Sequence, residues 1–158
     1  MIDFREGNAE ALPFPDEAFD VTFSITALEE LNADQALREM TRVTKPGGRI
    51  GVIVRAIDVP RWFNLSLREE LKAAIERPLG PSGQVSEGGC ADASLYSRFL
   101  ACGLTNVTMF PQLYTDPPIK EVGAEIGFVE NRLKPEDRAE FWEAVGQATQ
   151  QGTMFVQW

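Results

Sequence analysis

The chain has 158 residues, a net charge of −9 and no histidine. Its length corresponds to one domain with room for a core. The acidic excess argues against nucleic acid or an anionic membrane surface as the main partner, because phosphate binding needs clustered Lys and Arg. Without histidine, Ser-His-Asp and Cys-His catalysis are excluded.

The cysteines and the apolar runs of the sequence indicate in which compartment the protein is located. Cys90 and Cys102 are the two cysteines, and their spacing fits no zinc or redox motif, so we expect no metal site and two free thiols. The longest apolar run, Ile50 to Val54, is far shorter than the roughly 20 residues of a membrane span. The chain also opens without a charged-then-apolar leader. We therefore expect a cytoplasmic protein with no membrane partner.

The first part of the chain predicts two strands joined by a turn. Ile2–Arg5 alternates apolar and polar residues, as the end of a strand does. Gly7 and Asn8 predict a turn. Phe19–Ile25 is an apolar run with β-branched residues, which predicts a buried strand.

A helix and a further strand follow. Asp34 is the predicted N-cap, and the helix has one apolar face formed by Leu37, Met40 and Val43. The glycine-rich stretch Pro46–Gly48 predicts the end of the helix. Arg49–Arg55 is rich in Val and Ile and predicts the next strand.

The second half alternates helices and strands again. Helices are predicted for Arg61–Arg77, for a segment capped by Asp92 and ended by Gly103, for Ile119–Arg132, and from Pro135 to Gly152. Pro78–Gly89 predicts a mobile loop, and strands are predicted for Thr105–Phe110 and Thr153–Trp158. This alternation predicts an α/β fold with a mostly parallel sheet flanked by helices.

Two motifs give the chain a family resemblance. Leu12–Ser24 contains the pattern "LPFPD..FD", and Ala36–Gly48 contains "LREM.RV.KPGG". Together they resemble the middle of a class I S-adenosylmethionine-dependent methyltransferase of the small-molecule branch. The resemblance implies one partial, Rossmann-like methyltransferase domain over residues 1–158. It also implies helical cap segments at about 60–78 and 118–152.

The resemblance matches the family's third to seventh strands to the five predicted strands, which are Ile2–Arg5, Phe19–Ile25, Arg49–Arg55, Thr105–Phe110 and Thr153–Trp158. The family's first two strands have no counterpart. The glycine-rich cofactor loop and the acid that bonds the ribose are therefore missing. The resemblance implies a truncated fold whose S-adenosylmethionine site is incomplete.

The remaining cofactor positions lie at the adenine end and the floor of the site. Asn8 occupies the place of an Asp that accepts from the adenine amino group, and the Ala9 backbone N–H would meet a ring nitrogen. Ser24 and Ile25 would line the methionine part. Each residue also has an ordinary structural explanation, since Asn8 follows a glycine in a turn and Ser24 ends a strand.

Three residues are candidates for the substrate pocket. Glu29, with Glu30, stands where many relatives have histidines, and both are also consistent with the solvated first turn of a helix. Trp62 and Phe63 would belong to the cap, where they could line an apolar acceptor pocket or simply form core.

Two functions follow from the resemblance. The first is methyl transfer from S-adenosylmethionine to an unknown small molecule. The second is a non-catalytic binding or assembly module derived from a methyltransferase. Apart from these two functions, the chain could also be a fragment of a longer enzyme. Because the missing central strands would leave two open sheet edges, we also expect a homodimer.

Overall fold

The computed structural model describes residues 3–78, 85–110, 129–153 and 156–157. In chain order the elements are β1 (Phe19–Ile25), α1 (Ala33–Val43), β2 (Thr44–Ile53), β3 (Trp62–Phe63), α2 (Glu69–Glu76), α3 (Ser94–Ala101), α4 (Pro135–Gln150) and β4 (Val156–Gln157). Within these described residues, no helix has the length and apolar character needed to cross a membrane.

The described residues form two compact units. The first falls within Met1–Asp58 and Gly80–Met109, and the second within Val59–Leu79 and Phe110–Trp158. The described parts of both expected cap segments, 60–78 and 118–152, belong to the second unit. The organisation of residues 1–158 as one domain stays a prediction.

The first unit is built on a β-α-β arrangement. β1 and β2 pair in parallel, with Val21 beside Arg49 and Ile25 beside Ile53, and α1 connects them. The α/β fold with parallel strands and flanking helices is thereby confirmed, and β1 has the predicted bounds. The apolar face of α1 is also as predicted, since its inward residues are buried against Ile50 and Val52 of β2.

The cap of α1 differs from the prediction. Asn32, not Asp34, is the N-cap, and its side-chain oxygen accepts a hydrogen bond from the Gln35 N–H at 3.0 Å. Asp34 lies inside the first turn of α1, where the positive end of the helix dipole stabilises its carboxylate. It forms an ion pair with Arg98 of α3.

The stretch Lys45–Gly48 forms a bulge within β2 instead of a separate turn. Helix α1 ends at Val43, and the pairing moves from Phe19 beside Thr44 to Val21 beside Arg49. The extra residues are accommodated because Gly47 has a φ of +79°, in the region that favours glycine. A Cβ at Gly48 would lie 2.8 Å from the Asp20 carbonyl oxygen and 2.7 Å from Thr44 Cγ2.

Three further predictions are wrong. Residues 3–5 and Thr105–Phe110 form no strand, because no neighbouring strand among the described residues pairs with them. The helix predicted for Arg61–Arg77 is limited to α2, since Trp62 and Phe63 pair with β4 and a ladder of this kind overrides local helical periodicity. Most of the helix predicted for Ile119–Arg132 lies outside the described residues.

The second unit has its own apolar core around α2 and α4. Its members are contributed by both helices, by β3 and by the segments before α2 and before α4: Phe63, Leu65, Leu71, Ile75, Val129, Leu133, Phe141, Ala144, Val145 and Ala148. β4 pairs antiparallel with β3. Arg68 bonds Asp137 and Glu140 at the start of α4, and this interaction with Arg68 lowers the pKa of the Glu140 carboxyl.

The close contacts of Gly48 predict that Gly48→Ala destabilises the protein, by about 1–3 kcal/mol for an overpacked site. Gly146→Ala is the matched control, because Gly146 lies in the interior of α4 with no atom within 4 Å of the added Cβ. That variant should be more stable, by about 1 kcal/mol from helix propensity. Urea unfolding measures both changes. Equal effects of the two substitutions would contradict the bulge geometry.

Candidate functional site

A groove of about 460 Å³ follows β1 in the first unit. Its lining is apolar apart from two hydroxyl side chains and comes from β1, α1 and the two segments that flank β1: Ala9, Leu12, Phe14, Phe19, Val21, Thr22, Phe23, Ser24, Ile25, Ala27, Leu28, Leu31, Ala36 and Met40. No charged side chain is among these lining residues. The groove reaches the carboxyl end of β1, which is the end where ligands bind in open α/β sheets.

The wall of the groove at Leu12 and Phe14 is fixed to α1 by Arg42. Its guanidinium donates to the Leu12 carbonyl at 3.1 Å and to the Phe14 carbonyl at 2.9 Å. It also pairs with Asp16 at 2.7 Å. These carbonyls belong to a proline-rich segment with no regular secondary structure, so the guanidinium provides bonds that neither a helix nor a sheet supplies.

Glu39 completes this interaction. It lies one turn before Arg42 on α1 and accepts from Arg42 Nε at 2.8 Å and Nη2 at 2.7 Å. The same carboxylate accepts the Leu12 N–H at 2.7 Å. The hydrogen bond from Arg42 holds the pKa of Glu39 at about 2, against partial desolvation that raises it, and the Leu12 N–H adds to the lowering. Glu39 and Asp16 in turn raise the pKa of Arg42.

The depressed pKa of Glu39 predicts acid sensitivity. The ionised carboxylate contributes stability that is complete above its ordinary pKa of 4.5 and is lost as the pH falls towards 2. Glu39→Gln should therefore be less stable than the wild type at pH 7, and the difference should shrink at pH 3. Urea unfolding at the two pH values measures this, with the exposed Glu30→Gln as control. A pH-independent difference would argue against the charge of Glu39 as the cause.

A turn at Asn8 carries the predicted adenine-side residues. The Asn8 carbonyl accepts the Ala11 N–H at 3.0 Å, and its side-chain oxygen accepts the Glu10 N–H at 2.9 Å. Glu10 fixes the turn to the start of α1, because its carboxylate accepts the Asn32 N–H at 2.8 Å. Ala9, next in the turn, lines the groove.

The structure therefore brings Ala9, Ser24 and Ile25 to one groove, with Asn8 adjacent in the chain. The side-chain oxygen of Asn8 is already used within the turn, so a ligand would share it or replace the Glu10 N–H. The roles of these four residues in cofactor binding stay predictions.

Thr26, just after β1, has a feature that sequence reasoning missed. Its φ is +51°, which is rare for a β-branched residue and is found at sites where surrounding contacts enforce it. The enforcing contact is the hydrogen bond from the Thr26 N–H to the Ile53 carbonyl at 2.8 Å. This bond joins the carboxyl ends of β1 and β2, and no residue pattern in the sequence indicates it.

Glu29 is not solvated, in contrast to one of its two interpretations. Its side chain is 1% exposed, and its carboxylate accepts from the Arg55 N–H at 2.7 Å and from Arg55 Nε at 2.9 Å. The half-exposed Arg55 follows β2, so this ion pair ties the segment after β1 to the segment after β2. A buried carboxylate needs such donors to offset its lost hydration.

The segment Ser86–Cys90 is fixed at the same edge. The Ser86 N–H donates to the Glu29 carbonyl at 2.8 Å, and the Cys90 N–H donates to the Leu28 carbonyl at 2.8 Å. At Gly89 a Cβ would collide with the Glu29 carbonyl. This part of the predicted mobile loop is therefore hydrogen-bonded, and the two glycines before Cys90 were the signal for close backbone contact.

Trp62 and Phe63 belong to the second unit. Phe63 is buried in that unit's core, and Trp62 is 42% exposed. A pocket role for Glu29, Trp62 and Phe63 stays a prediction. The ion pair of Glu29 and the core position of Phe63 are each explained by folding alone.

The prediction that β1 is buried is wrong for one of its faces. Val21 and Phe23 are each 60% exposed and Ile25 is 57% exposed. Helix α1 covers the opposite face of the sheet, where Ile50 and Val52 contact its apolar residues. The sequence of β1 is typical of a parallel strand that is buried on both faces, but α1 covers one face and Val21, Phe23 and Ile25 on the other face are exposed.

The lining of the groove fits part of S-adenosylmethionine. Apolar walls and the backbone at Ala9 suit a flat heteroaromatic ring. The lining has no carboxylate for a ribose diol and no charged group for the amino-acid end, and the Thr22 hydroxyl is bonded to that of Thr44 at 2.9 Å. These residues could hold the adenine side of the cofactor.

Comparison with known proteins finds a family match in the first third of the chain. A family model described as "Methyltransferase domain" matches residues 1–52. The resemblance to class I S-adenosylmethionine-dependent methyltransferases is confirmed over this segment, which carries both motifs.

Two curated relatives are C-methyltransferases named for ubiquinone and menaquinone biosynthesis. The UbiE protein of Hahella chejuensis is 53% identical over 53 residues, which is 33% of this chain and 21% of that protein. The UbiE protein of Escherichia coli O1:K1 is 49% identical with the same coverage. The match thus spans about a fifth of the length of each curated relative.

Solved structures show a weaker likeness over the whole chain. The Bacillus halodurans protein BH2331 is 14% identical with a TM-score of 0.49, covering 99% of this chain and 73% of that one. YcgJ of Bacillus subtilis is 19% identical with a TM-score of 0.45, covering 98% and 65%.

Proposed function

We propose that this chain forms part of an S-adenosylmethionine-dependent methyltransferase that acts on a small apolar molecule. The observation that carries the proposal is the groove along β1. Ala9, Ser24 and Ile25, which the methyltransferase resemblance places at the cofactor, line this one groove although up to 16 positions of sequence separate them. The match of residues 1–52 to the methyltransferase family supports the same conclusion.

The chemistry asks little of the side chains beyond alignment. When bound, the cofactor supplies an electrophilic methyl group, and transfer is an in-line displacement whose main requirement is the orientation of donor and acceptor. The contribution of this chain would be an uncharged, mostly apolar wall formed by β1 and the Leu12–Phe14 segment. The uncharged lining favours an apolar acceptor. The quinone-pathway names of the curated relatives support an acceptor with an apolar ring system.

A non-catalytic binding module is the second candidate. The observation that favours it is the absence of charged side chains from the groove lining, since ribose and amino-acid groups normally require them. Such a module would keep the apolar groove and bind a ligand without transferring a methyl group.

Calorimetric titration with S-adenosylhomocysteine separates the two candidates. We expect binding by the wild type and about five- to tenfold tighter binding by Asn8→Asp, since a carboxylate forms a stronger hydrogen bond to an amino group than an amide oxygen does. The Asp can still accept the Glu10 N–H, so the turn is retained. Asn106→Asp is the control, because Asn106 is also exposed and does not line the groove.

Absence of S-adenosylhomocysteine binding would favour the second candidate. No heat of binding up to millimolar S-adenosylhomocysteine, for the wild type and for Asn8→Asp alike, would overturn the methyltransferase proposal for this chain and leave the binding module.

A further inference from the structure

One wall of the groove has no regular secondary structure. Residues 27–31 follow β1 and form neither helix nor strand, yet Ala27, Leu28 and Leu31 line the groove. Such a segment lacks the repeating backbone hydrogen bonds that hold a strand or a helix in place. Its conformation therefore depends on groups that other parts of the chain supply.

The segment before α3 supplies three of these groups. The Cys90 N–H donates to the Leu28 carbonyl and the Ser86 N–H donates to the Glu29 carbonyl, each at 2.8 Å. The Ser86 hydroxyl donates to the Leu31 carbonyl at 3.1 Å. Three successive turns of the wall are thus bonded to one neighbouring segment through their carbonyls.

The side chain of Glu29 adds a connection to a third segment. Its buried carboxylate is not among the groups that line the groove. It accepts from the Arg55 N–H at 2.7 Å, from Arg55 Nε at 2.9 Å and from Arg55 Nη2 at 2.8 Å. Because the Glu29 carbonyl bonds Ser86, this one residue joins the wall, the segment after β2 and the segment before α3.

A buried ion pair contributes little to the free energy of folding. The desolvation of the two charged groups offsets most of their attraction, and apolar residues of similar size often replace such a pair without loss of stability. The geometry of the pair is nevertheless strict, because a buried carboxylate without its donors is costly. The three donors of Arg55 therefore restrict the Glu29 side chain to one orientation.

We propose that Glu29 is a positioning residue for the ligand site. Its ion pair with Arg55 holds residues 27–31 in one conformation, and with them the side chains of Leu28 and Leu31 that a ligand in the groove meets. Glu29 itself does not touch the ligand. The effect on ligand binding rests on the proposed function, whereas the effect on the wall does not.

Amide hydrogen exchange of the ligand-free chain tests the effect on the wall. Glu29→Gln removes the charge and turns the N–H groups of an amide towards the donors of Arg55. We expect the Ser86 and Cys90 amides to exchange about tenfold faster, while the Met40 amide inside α1 keeps its rate. A general loss of stability would accelerate all three amides alike.

Two comparisons show that the cause is the ion pair. Glu39→Gln also removes a carboxylate paired with an arginine, but at the opposite wall, so the ratio of the Ser86 rate to the Met40 rate should not change. Arg55→Lys retains a positive charge for Glu29 and should keep the Ser86 amide protected. Arg55→Met should lose this protection, although its backbone N–H is retained.

Calorimetric titration with S-adenosylhomocysteine measures the effect on the ligand site. Glu29→Gln should bind about tenfold more weakly than the wild type, because only molecules with an ordered wall are competent to bind. Absence of binding by the wild type would overturn the proposed function. The exchange rates of Ser86 and Cys90 would still decide whether Glu29 positions the wall.

Two results would overturn the role of Glu29. One is exchange at Ser86 and Cys90 that is unchanged in Glu29→Gln, or that rises only in proportion to exchange at Met40. The other is equal affinity of the wild type and Glu29→Gln for S-adenosylhomocysteine when the wild type binds it.

Discussion

The first unit depends on the interaction between Arg42 and Glu39. One guanidinium and one carboxylate, a single helical turn apart on α1, bond both polar groups of the Leu12 backbone and the carbonyl of Phe14. The segment before β1 has no ladder of its own, so these bonds determine where it lies. Since Leu12 and Phe14 form a wall of the groove, the position of the candidate site follows from this pair. The "LPFPD" motif and the "LREM.RV" motif therefore bind each other through these hydrogen bonds.

A second group of polar contacts joins the carboxyl ends of the strands. Thr26 bonds Ile53, the buried Glu29 bonds Arg55, and the Ser86–Cys90 segment bonds the backbone of Leu28 and Glu29. In open α/β sheets this edge holds ligands. Here it is joined by backbone hydrogen bonds and by the ion pair between the buried Glu29 carboxylate and the half-exposed Arg55. An edge of this kind holds the end of the groove in one conformation and reduces the ordering cost of binding a ligand.

The parts of the fold that sequence predicted correctly are those with a strong local pattern. The bounds of β1 follow from an apolar run with β-branched residues, the apolar face of α1 follows from three-residue spacing, and both are confirmed. The burial of Glu29 and the left-handed Thr26 depend on partners more than 25 residues away, and no local pattern encodes them. The exposure of Val21 and Phe23 was unpredictable for the same reason. An apolar run indicates that a strand can be buried, and only the whole fold decides whether a cover is present.

The central claim is that the groove beside β1 is the ligand site. Amide hydrogen exchange with and without saturating S-adenosylhomocysteine tests it most directly, because it locates binding residue by residue. We predict slower exchange at Ala9 and at Ser24–Ile25, with the amides of α4 unchanged. Protection confined to the second unit, or no change in the Asn8 turn and β1, would contradict the claim.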